Sequence, residues 1–265
     1  MKIASIASGS TGNCIYINEK NTSLIIDAGI SMKRIEEGLY KCESCLKDVE
    51  GILITHEHID HIKGVGVISR KHNIPMYGTF ETIQGILGTS SLGEVNKELL
   101  IPIEADKEFY IKEIKVKPFR ISHDAKNPVA YRLESENRSV AVVTDLGKYD
   151  DYIISNLEGL DAVLIEANHD VNMLQVGAYP YYIKQRILSE IGHLSNETSG
   201  KLLNEILHDE MKNIILGHIS RENNYEKLAF ETIKSEINIS NNKYRSDDFN
   251  IITAKYNEVS ELIEF

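Results

Sequence analysis

The sequence of 265 residues predicts a mixed α/β fold in a single domain spanning 1–265. Three observations carry that prediction. Short apolar runs of strand length come first in each half of the chain, amphipathic helical stretches follow them, and several His and Asp residues stand directly behind apolar runs, where a strand gives way to a loop. A hydrophobic content of 42% is enough to bury a full core at this length, and no composition break, internal repeat or low-complexity tract divides the chain.

In chain order, residues 2–7, 14–18 and 23–27 read as strands, joined by a Gly-rich turn at 8–13. Residues 49–55 (VEGILIT) read as a buried strand centred on Ile52, Leu53 and Ile54, and a helical segment begins near Ile59. Helices are expected over 62–71 and 80–87. Further strands follow at 114–121, 129–134 and 140–145. A helix over 195–207 places Leu202, Leu203, Ile206 and Leu207 on one face, with Ser195 suited to cap its start. Strands at 250–256 and 259–265 close the chain.

The run Thr55-His-Glu-His-Ile-Asp-His61 sets His56, His58, Asp60 and His61 behind an apolar strand. Neutral imidazole suits Zn, Fe or Mn and a carboxylate adds a hard oxygen, so four such donors within six residues outline a dinuclear metal site. Asp27, Asp145 and His218 also follow short apolar runs (LII, AVVT, IILG), which repeats the pattern of a donor at a strand end.

The His-x-His-x-Asp-His motif resembles that of the metallo-β-lactamase-fold hydrolases. The resemblance implies a four-layered αββα sandwich and further ligand stations, which His123, Asp145 and His218 fill in order, with Asp27 as a buttress behind the ligands. Ser8-Gly-Ser-Thr-Gly-Asn-Cys14, Asp27-Ala-Gly-Ile-Ser31, Glu166-Ala-Asn-His-Asp170 and Gly192-His-Leu-Ser-Asn-Glu197 are similar to the YycJ group, also called WalJ or VicX, over about residues 1–225. That likeness implies a metal-dependent 5′-to-3′ DNA exonuclease. By the family's ligand sharing, His56, His58 and His123 hold one ion, Asp60, His61 and His218 hold the other, and Asp145 bridges them. With no thiolate in the set, the two divalent ions are Zn or Mn.

Such a pair polarises the scissile group and supplies a water, acidified to a pKa of about 7, as nucleophile. Asp27 is placed to fix an imidazole or the loop, or else simply begins a turn. His193, Ser195 and Asn196 at a helix start form either an anion cradle for a substrate phosphate or a plain helix cap. His169, among Glu166, Asn168 and Asp170, either lines the pocket and assists proton transfer or belongs to a structural turn. Arg186 is the best cationic candidate for a phosphate clamp, against the commoner fate of a solvated helix Arg. His72 and His208 read as surface residues.

The net charge of −11 opposes an ordinary nucleic-acid-binding surface. Bound ions, however, are commonly the largest charges in a site and leave this one cationic. An acidic exterior with a cationic pocket favours engagement of DNA through a 5′ end. The N-terminus lacks signal-peptide character and no apolar stretch is long enough for a membrane helix, so a cytoplasmic location is expected, with no membrane partner. Three cysteines fit a reducing compartment, and Cys42-x-x-Cys45 lacks the partners for an all-Cys zinc site. Two other catalytic readings compete: a small-molecule hydrolase of the thioester type, and an RNA-processing nuclease on the same fold. A non-catalytic regulatory protein that keeps a metal is a third. The residues leave oligomeric state open.

Overall fold

The computed structural model describes residues 1–265, and its contacts separate into two compact units. The first comprises residues 1–120, 125–137 and 255–264. Its principal sheet contains β1 (Lys2–Ala7), β2 (Cys14–Glu19), β3 (Thr22–Ile26), β4 (Val49–Leu53), β5 (Met76–Thr79), β6 (Leu100–Ile103) and β14 (Ile263–Glu264), in the order β14-β1-β2-β3-β4-β5-β6. β1, β2 and β3 pair antiparallel, whereas β3 through β6 pair parallel. The change of direction follows from the connections: parallel neighbours need a crossover, and α1 (Met32–Lys41), α3 (Val65–Lys71) and α4 (Phe80–Gly88) supply them. Ser31 caps α1 through its hydroxyl, and Ile35, Gly38 and Leu39 turn its apolar face inward. β7 (Phe109–Ile111), β8 (Ile114–Arg120) and β9 (Val129–Ser135) form an antiparallel meander in the same unit.

The second unit comprises residues 121–124, 138–254 and 265. Four parallel strands, β10 (Arg138–Val143), β11 (Ala162–Glu166), β12 (Asn213–Gly217) and β13 (Asn250–Thr253), lie side by side in that order. β11 and β12 are buried along their whole length, which is why AVLIE and NIILG read as continuous apolar runs rather than alternating ones. The helices α5 (Asp151–Leu157), α6 (Val171–Val176), α7 (Tyr181–Ile187), α8 (Asn196–Ile206) and α9 (Glu226–Ile239) connect them. No helix is long and apolar enough to cross a membrane.

The structure departs from the sequence reading at several places, and the strand expected over 250–256 ends at Thr253. The helix expected over 62–71 is split into α2 (Ile59–Ile62) and α3, because Gly64 donates its N–H to Ala28 O at 2.7 Å. The strand expected over 49–55 ends at Leu53, since Thr55 N turns to the Asp27 carboxylate. Of the strand expected over 259–265 only β14 forms. Ser260 instead binds Ser5 through both its backbone N–H and its hydroxyl oxygen.

The His-rich loop after β4 is held by backbone alone at one point. Asn13 N donates to Asp60 O and Ala28 N to His61 O, both at 2.8 Å, while Gly29 N returns a bond to Asn13 O. These bonds draw the Gly29 backbone so close that a Cβ there would sit 1.6 Å from Asp60 O. The blocks 8–14 and 27–31 are therefore the two walls that grip the His-rich loop. We predict that Gly29→Ala lowers stability by about 3 kcal/mol or more, because backbone and not a flexible side chain must move. Gly88, with nothing within 4 Å of its Cβ position, is the control. Gly88→Ala is expected to be neutral or stabilising by about 0.5 kcal/mol. Denaturant midpoints check both, and equal midpoints for the two variants contradict the packing argument.

Candidate metal centre

In the first unit a single buried carboxylate organises the His-rich loop. Asp27, directly after β3, accepts from Thr55 N (2.8 Å), from the Thr55 hydroxyl (2.8 Å) and from His61 Nδ1 (2.7 Å). These bonds fix proton positions. His61 carries its hydrogen on Nδ1, which leaves a lone pair on Nε2. The Thr55 hydroxyl spends its one hydrogen on Asp27, so toward His56 Nδ1, 3.0 Å away, it can only accept. His56 is thereby also an Nδ1–H tautomer, with its lone pair on Nε2. His56 and His61 are fully buried, and the His56 ring lies 4.1 Å from that of His61 and 4.6 Å from that of His58. Asp60 brings a carboxylate oxygen to 3.5 Å from His61 Nε2, and Asn13 Nδ2 stands 3.0 Å from the same nitrogen.

In the second unit the corresponding residues stand beyond the carboxyl ends of adjacent parallel strands, where open α/β sheets place their ligands. Asp145 follows β10, Glu166 ends β11 and His218 follows β12. Asp145 Oδ1 lies 3.6 Å from His123 Nε2, 3.4 Å from His218 Nε2 and 3.7 Å from His193 Nδ1. Gly192 O, 3.2 Å from His123 Nδ1, holds that ring with Nε2 toward Asp145. Donor atoms of His123, Asp145 and His193 all fall within 4.8 Å of one another. The Nε2 atoms of His123 and His218 beside one carboxylate oxygen, spaced too widely for strong hydrogen bonds, fit a divalent cation placed among them, whereas His193 Nδ1 is engaged by Glu166.

Glu166 is the functional residue that the sequence reading passed over. It is fully buried and accepts from Leu146 N (2.7 Å), Leu194 N (2.9 Å), Asp145 N (3.3 Å) and His193 Nδ1 (3.1 Å). It thus ties the Asp145 turn to the His193 turn as Asp27 ties β3 to the His-rich loop. Its signal was present in the sequence: Glu166 directly follows an apolar run, as Asp27 does. For His193, burial opposes the charged form, but the Glu166 and Asp145 carboxylates outweigh it and raise the pKa above the ordinary imidazole value.

Asp27, Asp145 and His218 share one backbone state, with φ of 60°, 61° and 50°. Asp and His tolerate this left-handed region better than most residues, yet it costs on the order of 1 kcal/mol or more at each non-glycine position. That cost recurs at the three strand ends where donors are needed.

The other candidates are placed differently. The Ser195 hydroxyl accepts from Thr198 N at 3.2 Å and so caps α8. The Asn196 carboxamide is buried and exchanges both its hydrogen bonds with Asn224, which engages the group expected to cradle a phosphate. The Arg186 guanidinium, half-exposed on α7, is paired with the Asp124 carboxylate. His169 is buried with neither ring nitrogen hydrogen-bonded, and burial above all pushes its pKa down to about 4, so the ring is neutral near neutral pH. His208 binds Leu160 O through Nε2.

Residues 22–219 match the model of the Beta-lactamase superfamily domain. The chain is 39% identical over 227 residues to "Exodeoxyribonuclease YycJ" of Bacillus anthracis, covering 84% of both. It is 39% identical over 236 residues to "Exodeoxyribonuclease WalJ" of Streptococcus pneumoniae (strain ATCC BAA-255 / R6), covering 89% of this chain and 88% of the relative. Among solved structures, the metallo-β-lactamase-fold protein YhfI from Bacillus subtilis superposes with a TM-score of 0.70 at 16% identity, over 98% of this chain and 99% of that one. That likeness shows the fold which the His-x-His-x-Asp-His motif implied. By family model, sequence identity and fold alike, the chain belongs to the metallo-β-lactamase superfamily and, within it, to the group of the YycJ and WalJ proteins.

Proposed function

We propose that the chain is a metal-dependent phosphodiesterase that degrades DNA from a 5′ end in the 5′-to-3′ direction. The observation that carries this reading is the set of preoriented donors, His56 and His61 in one unit and His123 with Asp145 in the other, in a chain 39% identical to relatives named exodeoxyribonucleases. In this reading residues 1–265 act as one catalytic domain. His56, His58 and His123 would hold one divalent ion and Asp60, His61 and His218 a second, with Asp145 as a ligand shared by both. Zn and Mn both suit a donor set of imidazole and carboxylate without thiolate. The three cysteines are free thiols, which supports a reducing, cytoplasmic setting.

When bound, the ions supply Lewis acidity and a water acidified toward neutral pH. The chain's own groups orient the rest. Asp27 keeps His61 in the ligating tautomer, and Gly192 O does the same for His123. Glu166 holds His193 Nδ1–H and favours its charged form, so that Nε2–H is a donor for a phosphate oxygen. With Asn196 engaged by Asn224, the α8 start contributes backbone N–H groups and His193, rather than the Asn196 side chain, to that contact. An aspartate at 145 separates this site from lactam hydrolysis, for which Cys or Ser is usual at that station, and suits phosphodiesters and thioesters alike.

Two outcomes are expected. His193→Ala lowers kcat about a hundredfold, the usual cost of one charge-stabilising donor, whereas Asp145→Ala lowers it about 10⁴-fold or more because both ions lose a shared ligand. Equal residual rates in the two variants contradict that division of roles. A duplex with a 5′ phosphate is expected to be degraded faster than the same duplex with a 5′ hydroxyl, and a closed circle not at all. Circles cut as fast as phosphorylated ends make the enzyme an endonuclease, and no cleavage of any nucleic acid with Mn or Zn moves the thioester-type hydrolase into first place.

A further inference from the structure

Exposed apolar side chains concentrate in one stretch of the second unit. Of the thirteen large hydrophobic residues that the chain exposes, Val176, Tyr181, Tyr182, Leu188 and Ile191 fall within residues 176–191. Single exposed apolar residues are ordinary, but a concentration of them marks an interaction surface. The helix α7 at its centre buries no residue at all, and Tyr181 and Tyr182 are 76% and 70% exposed at its start. Ile183 and Ile187 on its inner side are only half-buried, and polar ties help to hold the helix: Lys184 Nζ donates to Gln175 O at 2.8 Å, and Arg186 pairs with Asp124.

The charge of this stretch is opposite to that of the chain. Against a net −11 overall, residues 176–191 carry Lys184 and Arg186 and a single acid, Glu190, which is paired with Lys148 at 2.5 Å. The Lys184 ammonium is bonded to a neutral carbonyl, so that bond does not cancel its charge. The stretch also runs directly into the candidate metal centre. His193 N donates to Ile187 O at 3.1 Å, and Asp124, the partner of Arg186, lies 3.3 Å from His123 Nε2.

Two exposed aromatics adjacent in sequence and a lysine on the same helix, in an otherwise acidic protein and close to the candidate metal donors, match the chemistry of single-stranded nucleic acid. Every base offers a π-face to an aromatic ring whatever its sequence, and a lysine neutralises a backbone phosphate. We infer that Tyr181 and Tyr182, with Lys184 beside them, form a platform on which bases of a single-stranded DNA segment stack while its backbone leads to the metal centre. The inference rests on the nuclease reading and extends it, since it gives the acidic chain a grip on unpaired bases near the site and none along duplex. A second copy of this chain or a membrane surface suits the stretch less well, because each calls for an apolar face larger or more basic than five exposed apolar side chains and one unopposed lysine provide.

The test uses Mn-loaded full-length protein and a 5′-phosphorylated single strand of about twenty nucleotides, long enough to reach past the site. Wild type is compared with Tyr181→Ala/Tyr182→Ala and with Tyr181→Phe/Tyr182→Phe, each with an unchanged unfolding midpoint. The alanine pair is expected to raise KM about tenfold or more with kcat within about twofold of wild type, and the phenylalanine pair to restore KM, because the ring and not the hydroxyl stacks. An unmoved KM in the alanine pair, with wild type active, overturns this inference alone. A rise in KM accompanied by a change from dimer to monomer also overturns it and assigns the surface to self-association. Wild-type protein that cuts no strand overturns the nuclease reading and the platform with it.

Discussion

In each unit the candidate metal donors are built around a carboxylate taken out of water at a strand end. Asp27 and Glu166 are both buried, and an ionised carboxylate so placed is costly unless its oxygens are met by donors. Asp27 meets three and Glu166 four, and in each case they come from the loop that must be shaped. The same bonds that offset burial also set the tautomers of His56 and His61, the turn at Asp145 and the ring of His193. Removal of either carboxylate therefore does more than unpair one histidine, because backbone N–H groups inside the fold lose their acceptor as well.

The remaining constraints serve the same end. Left-handed backbone at Asp27, Asp145 and His218 turns the chain sharply as it leaves a strand, so a donor is presented where the strand stops. Gly29 lets the backbone of one wall touch Asp60 O, a contact that no side chain could replace. Parallel pairing of β10, β11 and β12 brings Asp145, Glu166 and His218, distant in sequence, to neighbouring strand ends. Stability is given up locally for geometry, and the fully buried strands β11 and β12 supply the apolar burial that offsets it.

What could be read in the sequence was what is local. The His-x-His-x-Asp-His run, the apolar strands before Asp27, Asp145 and His218, and the cap at Ser195 each lie within a few residues of their signal. What could not be read depends on partners far along the chain. Asn196 looks like a phosphate ligand until Asn224 occupies it, and Arg186 looks like a clamp until Asp124 pairs with it. Glu166 gains its role from Leu146, Asp145, His193 and Leu194, 20 to 28 residues away. Gly64 breaks a helix that its own periodicity supports, because Ala28 offers a better acceptor. Amphipathic α1 and α9 went unread for a different reason: their apolar faces are narrow, with three buried residues each.

The chain is acidic overall, yet its preoriented imidazoles and carboxylates make sense only around cations, which would reverse the sign of the field where a phosphate must enter. On the proposed reading two ions are expected, since seven candidate donor residues exceed what one tetrahedral or octahedral ion uses. Metal content per chain in gently purified protein, followed by titration of Zn or Mn into a chelator-treated sample, tests this most directly. Two ions bound per chain is the predicted result. One ion or none, with no second uptake on titration, would contradict it.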